Sequence, residues 1–152
     1  MNAHIEDVAR RAALVGYIAV APADQEKARD LFAATDRATS DSNGKIGAVG
    51  FCYGGGMALR CAAERSEVNA EQILKVKAPL MMHYAGTDER INAGINEFRA
   101  ALDVQKIAYS LNMYPGTQHG FQNDSSTARY DASAAKLAWA RTIALFDSSL
   151  KF

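Results

Sequence analysis

The sequence has few of the features that mark several common classes of protein. Its 152 residues include two cysteines, three prolines and one tryptophan. Two cysteines cannot build a disulfide framework, and no cluster of cysteine and histidine has the spacing of metal ligands. No apolar run approaches the length that a membrane-spanning helix requires. The sequence therefore predicts a protein without a metal centre and without a membrane partner.

Charge of one sign is not in excess either. Lysine and arginine together number 17, as do aspartate and glutamate, so nothing favours nucleic acid or an anionic membrane as a partner. The first residues, MNAHIEDVARR, lack the apolar core of a signal peptide. We accordingly expect a cytoplasmic location. A chain of this length, 49% hydrophobic, is typical of a single globular domain, predicted here over residues 1–152.

Short apolar runs alternate with helical patterns along the chain. The predicted strands are YIAVAP (17–22), KIGAVGF (45–51), APLMMHYAG (78–86) and AYSLNMYPG (108–116). The predicted helices are residues 4–15, a helix capped by Asp24, GGGMALRCAAERS (54–66), INEFRAALD (95–103) and a long helix capped by Asp131. Residues 64–77 are polar and poorly periodic. This alternation predicts an α/β fold, with a parallel sheet covered by helices on both faces.

Three chemically active residues follow three of the predicted strands. Cys52 follows the strand 45–51, Asp88 the next strand, and His119 the last. In open parallel sheets, sites form at the carboxyl ends of the strands. A nucleophile, an acid and a base in this chain order therefore predict a catalytic triad, with His119 as general base and Asp88 orienting its ring.

The residues around Cys52 fit a nucleophile elbow. Gly50-Phe51-Cys52-Tyr53-Gly54 has the pattern G-x-nucleophile-x-G between a strand and a helix. A side chain at either flanking glycine would crowd the turn, which holds the central residue in a strained conformation. The helix N-terminus favours a thiolate at Cys52. The backbone N–H of Tyr53 is the predicted oxyanion donor.

Each of these residues also has an ordinary structural explanation when it is taken alone. A cysteine can sit in a tight turn, an aspartate can cap a helix, and a histidine can lie in a surface loop. His4 and His83 are poorer bases, because one begins a helix and the other lies within a strand. Cys61 lies roughly 13 Å along the helix from Cys52, too far for a disulfide, and is predicted to pack its helix on the sheet.

Together, GFCYGGG, YAGTDERI and YPGTQHGF resemble the dienelactone hydrolase family of α/β-hydrolases. The segments IEDVARRAALVGYIAVAP and NDSSTARYDASAAKLAWARTIALF are also similar to that family. The resemblance implies a three-layer fold with a mostly parallel sheet, and a cofactor-free hydrolase. It further implies that a small-molecule ester or lactone is cleaved through an acyl-thiol intermediate by a Cys-His-Asp triad, at Cys52, His119 and Asp88.

The sequence departs from the family in several places. Several family strands are absent, including the early strand with its second oxyanion donor and the strand expected where residues 64–77 stand. The chain is thus either shortened or internally deleted, or the ordered parts of a longer protein. An arginine that binds substrate in lactone-cleaving members is replaced by Asn123, and Arg129 lies nearby. Exposed sheet edges would favour pairing between chains, so a homodimer is expected if the chain is complete.

Two other functions compete with hydrolysis. A non-catalytic remnant of the family would keep the triad-like residues and act as a binding or structural domain. A redox-sensing thiol at Cys52 would oxidise reversibly, but no resolving cysteine lies within reach.

Overall fold

The computed structural model describes residues 3–21, 28–62, 76 and 78–151. Within these residues the chain forms six helices and two strands. The helices are α1 (Ala3–Leu14), α2 (Ala28–Ser40), α3 (Tyr53–Ala62), α4 (Glu89–Asn92), α5 (Ile95–Val104) and α6 (Ala132–Leu150). The strands are β1 (Leu80–Ala85) and β2 (Tyr109–Tyr114).

The two strands form a parallel pair whose carboxyl ends meet at one edge. Their register runs from Leu80 opposite Tyr109 to Ala85 opposite Tyr114. The predicted strands 78–86 and 108–116 are therefore confirmed. Parallel neighbours need a long connection, and α4 and α5 supply it. Because both strands end together, the loops that carry the predicted acid and base start side by side.

The helical patterns on either side of β2 are also confirmed. In α5, Ile95 and Leu102 are buried, and Leu102 is fully inaccessible. At α6, the side chain of Asp131 accepts a hydrogen bond from the N–H of Ala134 at 2.8 Å, as its predicted capping role requires. The buried face of α6 packs against β1.

A small apolar cluster joins the last helix to the strand ends. It consists of Ala85, Tyr114, Phe121, Ala134 and Ala138. Alanines on α6 allow the helix to approach the sheet closely, while the aromatic rings of Tyr114 and Phe121 lie 4.9 Å apart between centroids. Because Ala85 and Tyr114 end the two strands and Phe121 lies in the loop after β2, the cluster holds the strand ends and this loop against α6.

The predictions of strands at 17–22 and 45–51 are wrong for the residues described. Residues 17–21 and 45–51 have no regular secondary structure. Ile18 is 55% exposed and Val49 43%, although the predicted strands would be buried on both faces. A strand forms only where a neighbour accepts its hydrogen bonds. Within the described residues, β1 pairs with β2 alone. Residues 46–51 and the residues of β1 line a common cavity instead of pairing with each other.

Some predictions fall on residues that the structure does not describe. The Asp24 cap lies outside the described residues, and so does the segment 64–77 apart from Val76. Val76 is buried. The predicted packing of the Cys61 side chain lies outside the description as well. Among the described helices, none is both long enough and apolar enough to cross a membrane.

Candidate active site

Cys52 lies on a strained turn immediately before α3. Its φ is +53°, a left-handed value that costs a residue with a Cβ free energy. The N–H of Gly54 donates to the carbonyl of Phe51 at 2.8 Å, and the N–H of Gly55 donates to that of Cys52 at 3.0 Å. These two bonds close the turn and leave the Cys52 side chain exposed.

Gly50 makes this tight turn possible. A Cβ built on Gly50 would overlap the carbonyl oxygen of Gly54. The segment that enters the turn and the helix that leaves it therefore approach each other more closely than any larger residue allows. The strain at Cys52 and the need for glycine at position 50 agree with the predicted elbow, even though no strand precedes it.

The structure brings Cys52, His119 and Asp88 together in one hydrogen-bonded row. The Sγ of Cys52 lies 2.9 Å from Nε2 of His119. On the other side of the ring, Nδ1 of His119 lies 2.6 Å from Oδ2 of Asp88. A carboxylate can only accept, so the hydrogen between this pair is carried by Nδ1. The other ring nitrogen, Nε2, faces the sulfur.

Asp88 is held by both of its oxygens. Oδ2 accepts from His119, and Oδ1 accepts from the N–H of Ile91 at 3.3 Å as the N-cap of α4. The hydrogen bond from His119 holds the pKa of Asp88 below its usual value, and the Ile91 N–H acts in the same direction. Asp88 is thus both the helix cap that its position alone suggests and the partner of the histidine ring.

A pair of threonines, which the sequence analysis missed, ties the two loops together. The N–H and the hydroxyl of Thr87 both donate to the carbonyl of Thr117, at 3.0 and 2.7 Å. Thr117 is 4% exposed, and its hydroxyl donates to the carbonyl of Tyr114 at 2.8 Å. A signal was present, because each strand is followed closely by Gly-Thr, just before Asp88 and two residues before His119.

A cavity of about 1050 Å³ opens beside this row. Cys52, Asp88 and His119 line it, as do Gly120, Phe121 and Gln122 of the loop after β2. In the part of the chain described, no three or more histidine, cysteine, aspartate or glutamate side chains are grouped to hold a metal ion.

The two other histidines of the chain contact residues around the site and do not join the row of Cys52, His119 and Asp88. His83, in β1, is half-buried and bridges Tyr114 and Thr142 with its two ring nitrogens, at 2.9 and 3.1 Å. His4 is buried in α1, with its ring edge-on to that of Phe51 at 5.2 Å between centroids. Both residues line the cavity, which agrees with the core or lining role predicted for His83.

The chain matches proteins of a known family. The model of the dienelactone hydrolase family matches residues 23–150. The chain belongs to the dienelactone hydrolase family. A provisionally named carboxymethylenebutenolidase of Saccharolobus solfataricus is 33% identical over 129 residues, covering 78% of this chain and 50% of the relative. The carboxymethylenebutenolidase of Pseudomonas putida is 31% identical over 109 residues, covering 64% of this chain and 46% of the relative.

Solved structures show the same fold. A dienelactone hydrolase-like promiscuous phosphotriesterase from metagenomic libraries superimposes with a TM-score of 0.74 at 21% identity, covering 97% of this chain and 81% of its own. This match shows the α/β-hydrolase fold, and the described residues form helices and a small parallel sheet of that fold.

The chain spans about half the length of the Saccharolobus and Pseudomonas relatives it matches. The alignment with a Synechocystis relative, 28% identical, runs over 204 residues, which is more than the 152 of this chain. That relative therefore has internal residues with no counterpart here.

The two predicted substrate-binding residues of this dienelactone hydrolase homologue lie off the cavity. Oδ1 of Asn123 accepts from the N–H and the hydroxyl of Ser125, at 3.1 and 2.6 Å, and so shapes its own loop. Arg129 is exposed, with Nε 3.4 Å from the hydroxyl of Ser126. Neither belongs to the described residues that line the cavity.

Proposed function

We propose that this protein hydrolyses esters or lactones, with Cys52 as nucleophile, His119 as general base and acid, and Asp88 as the partner that orients the histidine. The observation that carries the proposal is the continuous row from sulfur to imidazole to carboxylate, at 2.9 and 2.6 Å, built from three separate loops. Membership of the dienelactone hydrolase family supports the same reaction.

The first half-reaction forms an acyl-enzyme. Nε2 of His119 takes the proton of the Cys52 thiol, and the sulfur attacks the carbonyl carbon to form a C–S bond. The carbonyl π electrons move onto oxygen. When the tetrahedral intermediate collapses, the ester C–O bond breaks, and the imidazolium of His119 returns its proton to the departing alkoxide.

The second half-reaction releases the acid. Nε2 of His119 now removes a proton from water as the water oxygen attacks the thioester carbonyl. Collapse of the second intermediate breaks the C–S bond, and the proton on His119 returns to the sulfur. Asp88 keeps Nδ1–H in place throughout and stabilises the imidazolium formed in each half.

Tyr53 supplies the proposed oxyanion donor. Its backbone begins α3, so its N–H belongs to the helix terminus where anions are favoured. The neighbouring N–H groups of Gly54 and Gly55 are already used to close the turn. Asn123 and Arg129 stay predictions as substrate-binding residues, in roles that would require their loop to move toward the cavity. The cytoplasmic setting and the homodimer likewise stay predictions.

The test is hydrolysis of p-nitrophenyl acetate by the wild-type protein, Cys52→Ala and Cys61→Ala. The proposal predicts turnover that disappears in Cys52→Ala and persists in Cys61→Ala, the matched loss of the other cysteine. Acylated Cys52 should be trapped by acid quenching and found by peptide mass spectrometry. Equal rates in wild type and Cys52→Ala would contradict the nucleophile and favour a non-catalytic role.

A further inference from the structure

The cavity beside Cys52 continues far beyond the reacting atoms. It is lined by Ala85, at the carboxyl end of β1 near the loop of Asp88, and also by Leu80, at the opposite end of the same strand. Six strand residues span roughly 16 Å at about 3.3 Å per residue. A volume of about 1050 Å³ reaches the upper end of ligand pockets, which run to about 1000 Å³. A small acetyl group would leave most of this space unused.

The end of the cavity away from the triad is almost entirely apolar. We call this part the deep cavity, and define it by Ile46, Leu80, Leu145, Phe146, Ser149 and Leu150. Its wall is well defined where the backbone of Gly47 meets α6. A Cβ built on Gly47 would lie 2.8 Å from Phe146 Cε1 and 2.9 Å from Leu150 Cδ1.

Few charged groups line the cavity. Among the described lining residues they are Arg11, Asp88 and Arg90. Asp88 caps α4 and Arg90 lies within it, at the triad end. Arg11 is paired with Asp124 at 2.7 Å and with Asp7. No cation is thus left in the described lining to receive a charge at the far end of a substrate.

The polar side chains midway along the cavity bind each other. Nε2 of His83 donates to the hydroxyl of Thr142 at 3.1 Å, and that hydroxyl donates to the carbonyl of Ala138 at 3.0 Å. The other nitrogen of His83 accepts from Tyr114. Since these groups already have hydrogen-bond partners within the protein, they do not require a polar group on a ligand that passes them.

We infer that the deep cavity receives the acyl chain of the substrate, and that the substrate class is a neutral ester with a medium-length apolar acyl group. This inference rests on the proposed function, because the ester carbonyl must lie at Cys52 for its chain to enter the deep cavity. Apolar burial makes chain length favourable, while a charge at the chain end would lose its hydration without gaining a partner.

A series of p-nitrophenyl esters tests the inference kinetically. The kcat/KM of the octanoate should exceed that of the acetate by at least about 10-fold. The mono-p-nitrophenyl ester of suberic acid has the same chain length with a terminal carboxylate, and its kcat/KM should be at least about 10-fold below that of the octanoate. Equal values for acetate and octanoate, or for octanoate and suberate, would overturn the inference.

Two neighbouring serines on α6 provide a matched pair of variants. Ser149 is half-buried and lines the deep cavity, whereas Ser148 is exposed and bonds the carbonyl of Leu145. Ser149→Phe should lower the octanoate-to-acetate ratio of kcat/KM by at least about fivefold, because the ring occupies the space of the chain. Ser148→Phe should leave that ratio at the wild-type value. A ratio unchanged in folded Ser149→Phe would contradict the proposed path of the chain.

Trp139 gives a measurement that needs no turnover and no cavity variant. It is the single tryptophan of the chain and lines the cavity. In the Cys52→Ala protein, methyl 8-bromooctanoate should quench its fluorescence saturably, whereas methyl octanoate, without the heavy atom, should not. Quenching without hydrolysis in the wild type would contradict the proposed function alone. Hydrolysis of acetate without saturable quenching would contradict the acyl-chain site alone.

Discussion

His119 and Asp88 are joined by a hydrogen bond of 2.6 Å, although 31 residues separate them in the chain. The bond forms because β1 and β2 are parallel and end together, and because the Thr87–Thr117 clasp holds the two following loops in contact. The carboxylate is fixed in turn by the N–H of Ile91. The ring of His119 is thereby given one orientation and one tautomer before any substrate arrives.

Replacing Asp88 with Asn should test that orientation. The amide has nearly the same shape, but it can offer its NH₂ group to Nδ1 and so favour the wrong tautomer of His119. We expect kcat/KM for p-nitrophenyl acetate to fall on the order of 10²–10⁴-fold. Glu89→Gln removes the adjacent, exposed carboxylate and should leave the rate within about twofold. Similar rates in the two variants would show that Asp88 acts only as a helix cap.

Gly50→Ala should destabilise the turn that presents Cys52. Its new Cβ would overlap the carbonyl oxygen of Gly54, and neither atom can move away without a shift of the backbone that forms the turn. We expect the free energy of unfolding to fall by more than about 2 kcal/mol. Gly56→Ala is the matched control in α3, since a Cβ there meets nothing within 4 Å. It should raise stability by roughly 0.5–1 kcal/mol. Thermal unfolding monitored by circular dichroism measures both.

Local pattern was enough to predict the elements that surround the site. The capped helix after Asp131, the apolar face of α5 and the runs that become β1 and β2 follow from residues close together in the chain. The placement of Asp88 and His119 then followed from one rule, that parallel strands carry sites at their carboxyl ends. Cys52 follows residues that form no strand, and its place was predicted by the glycine pattern of the elbow.

Long-range pairing was beyond local pattern. Residues 17–21 and 45–51 have the composition of buried strands, yet a strand also needs a neighbour, and composition carries no information about whether the neighbour is present. The Thr87–Thr117 clasp was missed for the same reason. The repeated Gly-Thr marks the two threonines in the sequence, but their contact depends on the sheet that brings the two loops together.

Alkylation of Cys52 should depend on His119. The exposed sulfur lies 2.9 Å from Nε2, which can accept the thiol proton and leave the more reactive thiolate. With limiting iodoacetamide at pH 7, peptide mass spectrometry should find label on Cys52 before Cys61. His119→Ala should slow labelling of Cys52 by at least about 10-fold. Label appearing first on Cys61, or a Cys52 rate indifferent to His119, would contradict this interpretation of the elbow.

Protein stability should decline as the pH falls from about 6.5 to about 4, and His83 is the main reason. Burial, followed by the charge of Arg141, lowers the pKa of His83 from 6.5 to about 4. Between pH 4 and pH 6.5 the unfolded chain therefore binds a proton at His83 that the folded chain does not. The free energy of unfolding rises with pH across this range, and it falls when the solution is acidified. At about 1.4 kcal/mol per pKa unit, the difference between 6.5 and about 4 sets an upper limit of about 3.5 kcal/mol. Solvent screening at the half-buried ring makes the loss smaller than this limit.

His83→Gln should flatten this pH dependence, because glutamine can occupy the strand and bond Tyr114 or Thr142 without titrating. The difference in Tm between pH 7 and pH 5 should be smaller in the variant than in the wild type. His4, whose pKa burial also lowers, should account for part of the slope that remains, so the double variant His4→Gln/His83→Gln should be flatter still. A pH dependence identical in wild type and His83→Gln would contradict this assignment. It would show that the proton responsible for the slope binds at a group other than His83.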